Sequence, residues 1–331
     1  MRRIKFLFNK IKKTSKRKNQ STISSAIHDD FSNVKKQAIF SEQFTPVLQD
    51  EEKISYYKKH YNFMDYHIKF FNELTSRIDF RGKTVLEIGG SNTPMDLAFS
   101  EMGVSKWVCI DKPWKTNLES QHNHYSKISL YKFKDIALDK ALQESDYFIY
   151  DEFAEYMPSD FYGKFDICVS NCCFEHVNNL PLLLNKIYYS LKDGGVLYTR
   201  FAPIWSAPNG NHVRINDKAL SFSLWHAKDY PRELHHAHLF KGYKGIYDYL
   251  EKNYGDDVAQ KHTYTVKNGS SLNKLMYEDY LFLMHNSLFS NKSVTPAWIY
   301  NIDDKTMQLL IAMYPGYHKF DASGMIIQAK K

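Results

Sequence analysis

Short apolar segments alternate with helical stretches along most of this chain of 331 residues. Five segments have the length and the continuous apolar character of buried strands: 84–88, 107–110, 147–150, 165–170 and 196–201. Between the last two, leucine and isoleucine recur at helical spacing over 180–191. Because strand–helix–strand units join parallel neighbours, the alternation predicts an α/β fold with a doubly wound parallel sheet.

Changes in composition divide the chain into four parts. Residues 1–45 are rich in Lys, Ser, Asn and Gln and are predicted to be a largely disordered tail and linker. Residues 46–214 contain the alternating core, and 291–331 return to strand and helix. Residues 215–290 are rich in His, Tyr and Leu at helical spacing. They predict a helical insertion between strands five and six that serves as a substrate-binding or lid element.

The positive charge of the chain is concentrated at its start. The net charge is +7, and residues 1–19 carry nine Lys and Arg with no acid, so subtracting nine leaves −2 for the rest. Ile4, Leu7, Phe8 and Ile11 would share one helix face. This pattern is typical of an amphipathic helix on an anionic membrane surface. A solvated, disordered leader and a contact with RNA or a partner protein are the alternatives.

Composition narrows the class and location of the protein. Four cysteines without paired CxxC motifs favour neither a disulfide framework nor a zinc ribbon. No apolar run reaches the ~18–20 residues of a membrane span. We therefore predict a cytoplasmic protein, with the inner face of the membrane as the place where the tail would bind. The near-neutral remainder argues against nucleic acid as a partner.

Small and acidic residues follow the predicted strands. Gly89, Gly90 and Ser91 follow the first strand, and Asp111 ends the second, 22 residues after Gly89. Ligands of doubly wound sheets bind beyond the carboxyl ends of the strands, where an acid can accept hydrogen bonds from ribose hydroxyls. The first loop lacks the GxGxxG pattern that cradles a pyrophosphate, so a dinucleotide is disfavoured. Glu87 would place a carboxylate near a ligand's ammonium group.

The segment Val85–Ser91 resembles the first motif of class I S-adenosylmethionine-dependent methyltransferases, which have a Rossmann-like sheet. The resemblance implies S-adenosylmethionine as cofactor, Asp111 as the ribose-binding acid and Asp151 as the contact of the adenine amine. Glu152 neighbours that contact, and Asp135 is an alternative to Asp151. Lys112 and Asn171, at the ends of strands two and four, are assigned to the same cofactor site.

Two further segments resemble narrower groups of methyltransferases. Residues 165–177 and 191–197 resemble the quinone-biosynthesis-like subgroup, whose members are also classed as methyltransferase type 11. Residues 203–212 are similar to methyltransferases encoded with bacterial surface-glycan genes. These resemblances imply a small-molecule or glycan acceptor.

Three residues are candidates for the transfer chemistry. A hydroxyl acceptor needs a group that takes its proton, and imidazole suits this role near neutral pH. His176 follows strand four and His212 follows strand five on a loop rich in Gly and Asn, with Glu175 as a candidate to orient either imidazole. The alternative reading makes both histidines structural residues of their loops.

No metal ligands are predicted. His235, His236 and His238 are a weak ligand pattern, and the Glu-x-x-Glu-His motif of some quinone methyltransferases is incomplete because Cys172 precedes Glu175 by three. The Asp/Asn-Pro-Pro-Tyr/Phe motif of DNA amino-methyltransferases is missing after strand four. The sequence thus favours O-methylation of a small molecule or glycan. A lipid or quinone methyltransferase at the membrane surface and a non-catalytic binding protein are the alternatives.

Overall fold

The computed structural model describes residues 31–89, 93–112, 129–212, 231–268 and 272–331. Their strands are β1 Val34–Lys35, β2 Thr84–Ile88, β3 Lys106–Asp111, β4 Ser129–Tyr131, β5 Tyr147–Asp151, β6 Phe165–Asn171, β7 Leu191–Phe201, β8 Asn291–Ile299 and β9 Ala322–Lys330. Their α-helices are α1 Glu51–Tyr61, α2 Asp65–Arg77, α3 Leu138–Glu144, α4 Leu180–Ser190, α5 Ala237–Phe240, α6 Gly242–Tyr254, α7 Asp256–Asn268, α8 Tyr277–His285 and α9 Asp304–Met313. A short π-helix, Leu97–Glu101, follows the first strand-to-helix turn.

The described strands form one sheet in the order β1-β8-β9-β7-β6-β2-β3-β5-β4. β9 runs antiparallel to β7 and β8, and every other pair is parallel. From β2 the chain proceeds to β3 on one side, whereas β6 and β7 lie on the other. The strand order therefore reverses between β2 and β6, which is where doubly wound sheets bind their ligands. The predicted α/β, Rossmann-like architecture is confirmed.

Alternate residues of the central strands pack on opposite faces of the sheet. Leu86 and Ile88 of β2 belong to one buried cluster with residues of α4 and α8. Val85 belongs to another, together with Trp107 of β3 and residues of α2. Burial on both faces explains why these strands are continuous apolar runs.

The predicted linker requires a correction in residues 31–45. Val34–Lys35 pairs in parallel with β8 at the edge of the sheet. The backbone N–H groups of Ile39 and Phe40 donate to Oε1 of Gln328 at 2.7 and 3.0 Å. Hydrogen bonds of its backbone N–H groups and the burial of Val34 thus hold this segment to the sheet, which a polar composition does not reveal. The predicted tail helix in residues 1–19 lies outside the described residues.

Helices fill the described part of 215–290. A 3₁₀ turn at Arg232–Leu234 and the helices α5 to α8 lie between β7 and β8. α6 and α7 form a small apolar cluster of their own around Ile246, Leu250 and Ala259. The role of this segment in binding a substrate stays a prediction.

Candidate active site

The carboxyl ends of β2, β3, β5, β6 and β7 lie at one edge of the sheet, because these strands are parallel. The residues that directly follow or end the first four of them are Gly89, Asp111, Asp151 and Asn171. The fold thus brings these four predicted cofactor residues to one edge of the sheet. Gly90 and Ser91 belong to the same predicted site but lie outside the described residues.

Gly89 has a backbone conformation that requires glycine. Its φ is +67°, in the left-handed region. Its N–H donates to the carbonyl of Ile110 at 2.8 Å, which ties the first loop to β3. A Cβ atom at this position would collide with the Sγ of Cys173. At Gly89 the chain therefore passes closely between β3 and the turn after β6.

Glu87 is buried and holds Thr93 in place, shortly before the π-helix Leu97–Glu101. Its two carboxylate oxygens accept hydrogen bonds from the Thr93 hydroxyl at 3.1 Å and the Trp107 indole at 2.9 Å. The Tyr147 hydroxyl donates to the carbonyl of Thr93. Glu87 therefore fixes Thr93, the first described residue after the predicted cofactor loop. The predicted contact of its carboxylate with a ligand's ammonium stays a prediction.

Two acids lie side by side at the ends of β3 and β5. Asp111 and Asp151 are directly opposite each other in the register of these strands. The Glu152 N–H donates to the Asp111 carbonyl at 3.2 Å, and the Lys112 ammonium lies 3.7 Å from Oδ1 of Asp151. Asp111, Lys112, Asp151 and Glu152 are thus brought to one place.

Asp135, the alternative to Asp151, forms hydrogen bonds within its own turn. Oδ2 of Asp135 accepts a hydrogen bond from the Lys132 N–H at 3.1 Å, and its own N–H donates back to the carbonyl of Lys132. Asp135 follows β4, at the far edge of the sheet, whereas Asp151 adjoins Asp111. Asp151, unlike Asp135, therefore lies beside the predicted ribose-binding acid.

The end of β6 is fixed to both neighbouring strands. The Ser170 hydroxyl donates to the carbonyl of Ile88 at 2.7 Å. The Cys172 N–H donates to the carbonyl of Arg200 at 2.8 Å, and Cys172 has a φ of +53°. Asn171 is buried between these contacts. The turn that follows therefore starts from a rigid strand end at the point where the strand order reverses.

Glu175, His176 and His212 come together from two loops. His176 Nε2 lies 3.8 Å from Oε1 of Glu175, and the His176 and His212 rings are 5.5 Å apart between centroids. One ligand-type atom from each of the three lies within 4.8 Å of the others. Glu175 is buried, and both imidazoles are partly exposed. All three predicted catalytic residues therefore share one cluster.

The loop that carries His212 packs against the helical segment. The His212 N–H donates to the carbonyl of Asn209 at 3.2 Å, and the Asn211 side chain donates to the carbonyl of Leu234 at 3.1 Å. The His236 N–H donates to the carbonyl of Pro208 at 2.8 Å. These bonds fix the loop although it has no regular secondary structure.

Asn273 joins the helical segment to the turn after β6, and sequence reasoning missed it. Its N–H donates to the carbonyl of Glu175 at 3.0 Å, and its side-chain NH₂ donates to the carbonyl of Phe174 at 2.7 Å. Its Oδ1 accepts from the Tyr280 hydroxyl at 3.1 Å. No local sequence pattern identifies Asn273, because Phe174, whose carbonyl it binds, lies 99 residues earlier in the chain.

Cys173, His236 and His238 lie in surroundings that favour their neutral forms. Burial, reinforced by the negative charges of Asp111 and Glu175, raises the pKa of the Cys173 thiol well above its usual range. Burial lowers the pKa of His236 to about 4 and that of His238 to about 3. Their Nε2 atoms lie 3.0 and 2.7 Å from the carbonyls of Phe320 and Trp205. Each of these two imidazoles therefore donates to a backbone carbonyl.

A family profile described as "Methyltransferase domain" matches residues 57–276, a span that includes every described site residue named above. The chain belongs to this family: it is a class I methyltransferase that uses S-adenosylmethionine. No curated protein matches the chain. None of the described helices is long and apolar enough to cross a membrane.

Solved structures share the general fold. An S-adenosylmethionine-dependent methyltransferase from Mesorhizobium loti is 13% identical, with 77% of this chain and 93% of that chain covered and a TM-score of 0.38. A phosphoethanolamine N-methyltransferase from Haemonchus contortus, solved in complex with S-adenosylmethionine, is 15% identical over 76% of this chain and 48% of that chain, with a TM-score of 0.34. Likenesses this low carry no information about the acceptor.

The site has the features that S-adenosylmethionine needs. The turn at Gly89 brings the backbone close to Cys173, which only a residue without a Cβ allows. The adjacent acids Asp111 and Asp151 offer acceptors for ribose hydroxyls and for an adenine amine. Negative charge at these strand ends also suits a cofactor that carries a sulfonium and an ammonium group.

Proposed function

We propose that the protein transfers the methyl group of S-adenosylmethionine to a hydroxyl oxygen of a small-molecule or glycan acceptor. The observation that carries this proposal is the cluster of Glu175, His176 and His212. It lies beyond the ends of β6 and β7, on the side of the strand-order reversal opposite β3 and β5. A cofactor held by Asp111 and Asp151 would direct its methyl group toward this cluster.

On the cofactor side, the chain would bind and orient. Asp111 would accept hydrogen bonds from both ribose hydroxyls, and Asp151 with Glu152 would meet the adenine amine. Gly89, Gly90 and Ser91 would pass under the ligand, with Glu87 holding that loop through Thr93. Lys112 and Asn171 would border the site at the ends of β3 and β6. When bound, the cofactor supplies a methyl group already activated by its positive sulfur.

On the acceptor side, the cluster would align a hydroxyl and remove its proton. Methyl transfer is an in-line displacement, so alignment supplies much of the rate. The O–C bond forms as the C–S bond breaks, and the hydroxyl proton leaves toward the imidazoles. Glu175 is buried beside His176 and would stabilise the positive charge that develops there. A hydroxyl acceptor depends strongly on a neighbouring base, because it binds its proton tightly before the transfer begins.

A labelled-methyl experiment tests the chemistry. S-adenosylmethionine with a deuterated methyl group is incubated with a panel of sugar, phenol, amine and thiol acceptors, and the products are analysed by mass spectrometry. We expect label on hydroxyl oxygens. His176→Ala and His212→Ala should lower kcat by roughly 10²-fold or more while cofactor affinity changes little.

Label confined to nitrogen or sulfur would contradict O-methylation. Loss of cofactor binding in both histidine variants would show that the histidines are structural. A wild-type protein that binds the cofactor yet labels no acceptor would favour the non-catalytic alternative.

A further inference from the structure

One carboxylate and two imidazoles meet where β6 and β7 end, and this combination is a metal-binding set. We propose that Glu175, His176 and His212 bind a divalent transition-metal ion of the Zn²⁺ type. Their ligand-type atoms all lie within 4.8 Å of one another. Two histidines and one glutamate are a common protein ligand set for catalytic zinc.

The hydrogen bond of His212 fixes the tautomer that a metal needs. Nδ1 of His212 lies 3.0 Å from the carbonyl oxygen of Gly210. A carbonyl oxygen only accepts, so Nδ1 carries the ring proton and Nε2 presents its lone pair. Metal-binding histidines almost always donate their other ring N–H to such a partner, which orients the ring and raises its basicity.

The cluster is close to the dimensions of a bound ion. Zinc lies about 2.0–2.2 Å from nitrogen and oxygen ligands, which places neighbouring ligand atoms about 3.4 Å apart in a tetrahedron. The Glu175–His176 pair is already at 3.8 Å. No two of the three ligand atoms are more than 4.8 Å apart, so each pair would have to close by about 1.4 Å at most. Changes in the side-chain χ angles supply movements of this size.

The backbones that carry the ligands are held independently of any ion. The Asn273 N–H donates to the carbonyl of Glu175 at 3.0 Å, and the His212 N–H donates to that of Asn209 at 3.2 Å. His212 also has a φ of +51°, a conformation that residues other than glycine adopt at a cost. Such backbone conformations concentrate at functional sites, where the surrounding structure maintains them.

Three protein ligands leave a fourth position of the ion open, as in catalytic rather than structural zinc sites. An acceptor hydroxyl at that position would lose its proton to water more readily, because the cation stabilises the alkoxide. With the ion bound, the cation would thus replace the imidazoles, whose lone pairs it occupies, as the group that promotes loss of the proton. This use of the ion rests on the proposed function, whereas ion binding itself rests on the geometry of the three residues alone.

The full-length protein, dialysed against a chelator and then freed of it, is titrated with Zn²⁺ in a calorimeter. We expect one ion per chain. Glu175→Gln and His212→Ala should each weaken binding by roughly tenfold or more. His60→Ala removes an exposed histidine of α1 and should leave the affinity unchanged. With Co²⁺ in place of Zn²⁺, the absorption spectrum should show bands of nitrogen and oxygen ligation without thiolate charge transfer.

Three results would overturn the proposal: no stoichiometric binding by the wild type, an unchanged affinity in His212→Ala or Glu175→Gln, or a thiolate band that disappears in Cys172→Ser. Each variant is also titrated with S-adenosylmethionine. Retained cofactor affinity shows that the variant is folded, and a loss of metal binding alone leaves the methyltransferase assignment intact. If His212→Ala fails to fold, His176→Gln takes its place, because its side chain is partly exposed.

Discussion

At the scale of single residues, the cofactor site depends on a few backbone and side-chain positions with strict requirements. Gly89 combines a positive φ with a close approach to Cys173. The motif in the sequence predicted this glycine, and the strand ends predicted Asp111 and Asp151. The partners of Glu87 could not be predicted in the same way, because Trp107 meets its carboxylate only through the pairing of β2 with β3.

Gly89→Ala should weaken the affinity for S-adenosylmethionine by at least tenfold. The added Cβ collides with the Cys173 side chain, and alanine is strained in the left-handed backbone conformation of this residue. The loop must therefore shift. Calorimetric titration with the cofactor measures the loss, and circular dichroism checks the fold.

Gly82→Ala is the matched control for this substitution. Gly82 has a φ of +69°, but a Cβ there meets nothing within 4 Å. Gly82→Ala should lower the free energy of unfolding by about 1 kcal/mol, because alanine is strained at a positive φ. It should leave cofactor affinity unchanged. Equal cofactor affinities in the wild type and Gly89→Ala would show that the close approach to Cys173 is unimportant for the site.

At the scale of elements, continuous apolar runs predicted the five central strands, since each is buried on both faces. β1 and β4 were not predicted, because two- and three-residue strands leave no periodic pattern. The helical segment between β7 and β8 was predicted from its periodicity. The attachment of this segment to the turn after β6 through Asn273 was not predicted, because that contact depends on how distant loops pack.

Asn273→Ala should lower kcat several-fold while leaving the affinity for S-adenosylmethionine nearly unchanged. The substitution removes the side-chain bond to the carbonyl of Phe174 and leaves the Tyr280 hydroxyl without its acceptor. The turn that carries Glu175 and His176 would then be held less firmly, and misplaced catalytic groups lose rate.

Steady-state kinetics with the acceptor found in the labelling experiment measures this effect. Asn253→Ala, which removes an exposed side-chain bond to the carbonyl of Tyr249 within α6, is a control of the same chemistry. A turnover rate in Asn273→Ala equal to that of the control would mean that the turn holds its geometry without this link.

At the scale of the whole molecule, sheet topology connects parts of the chain that sequence reasoning treats separately. The predicted cofactor acids end β3 and β5, while the imidazoles follow β6 and β7, and the strand order places these groups on either side of one reversal. The strand sequence predicted the common edge. It could not predict that His176 and His212 would meet, because their loops have no regular structure. The excess positive charge lies in residues 1–19, outside the described part of the chain, and its role stays a prediction.

The most direct test of the proposed cofactor site is the affinity of the wild type, Asp111→Asn and Asp248→Asn for S-adenosylmethionine. NAD is titrated as a second ligand for comparison. The wild type should bind S-adenosylmethionine and S-adenosylhomocysteine but not NAD. Asp111→Asn should lose roughly tenfold or more in affinity, because a charged acceptor for ribose hydroxyls is removed. Asp248 forms an exposed ion pair with Lys244 on α6, so its replacement should change nothing. A wild type that does not bind S-adenosylmethionine, or an Asp111→Asn variant that binds it as tightly as the wild type, would contradict the account.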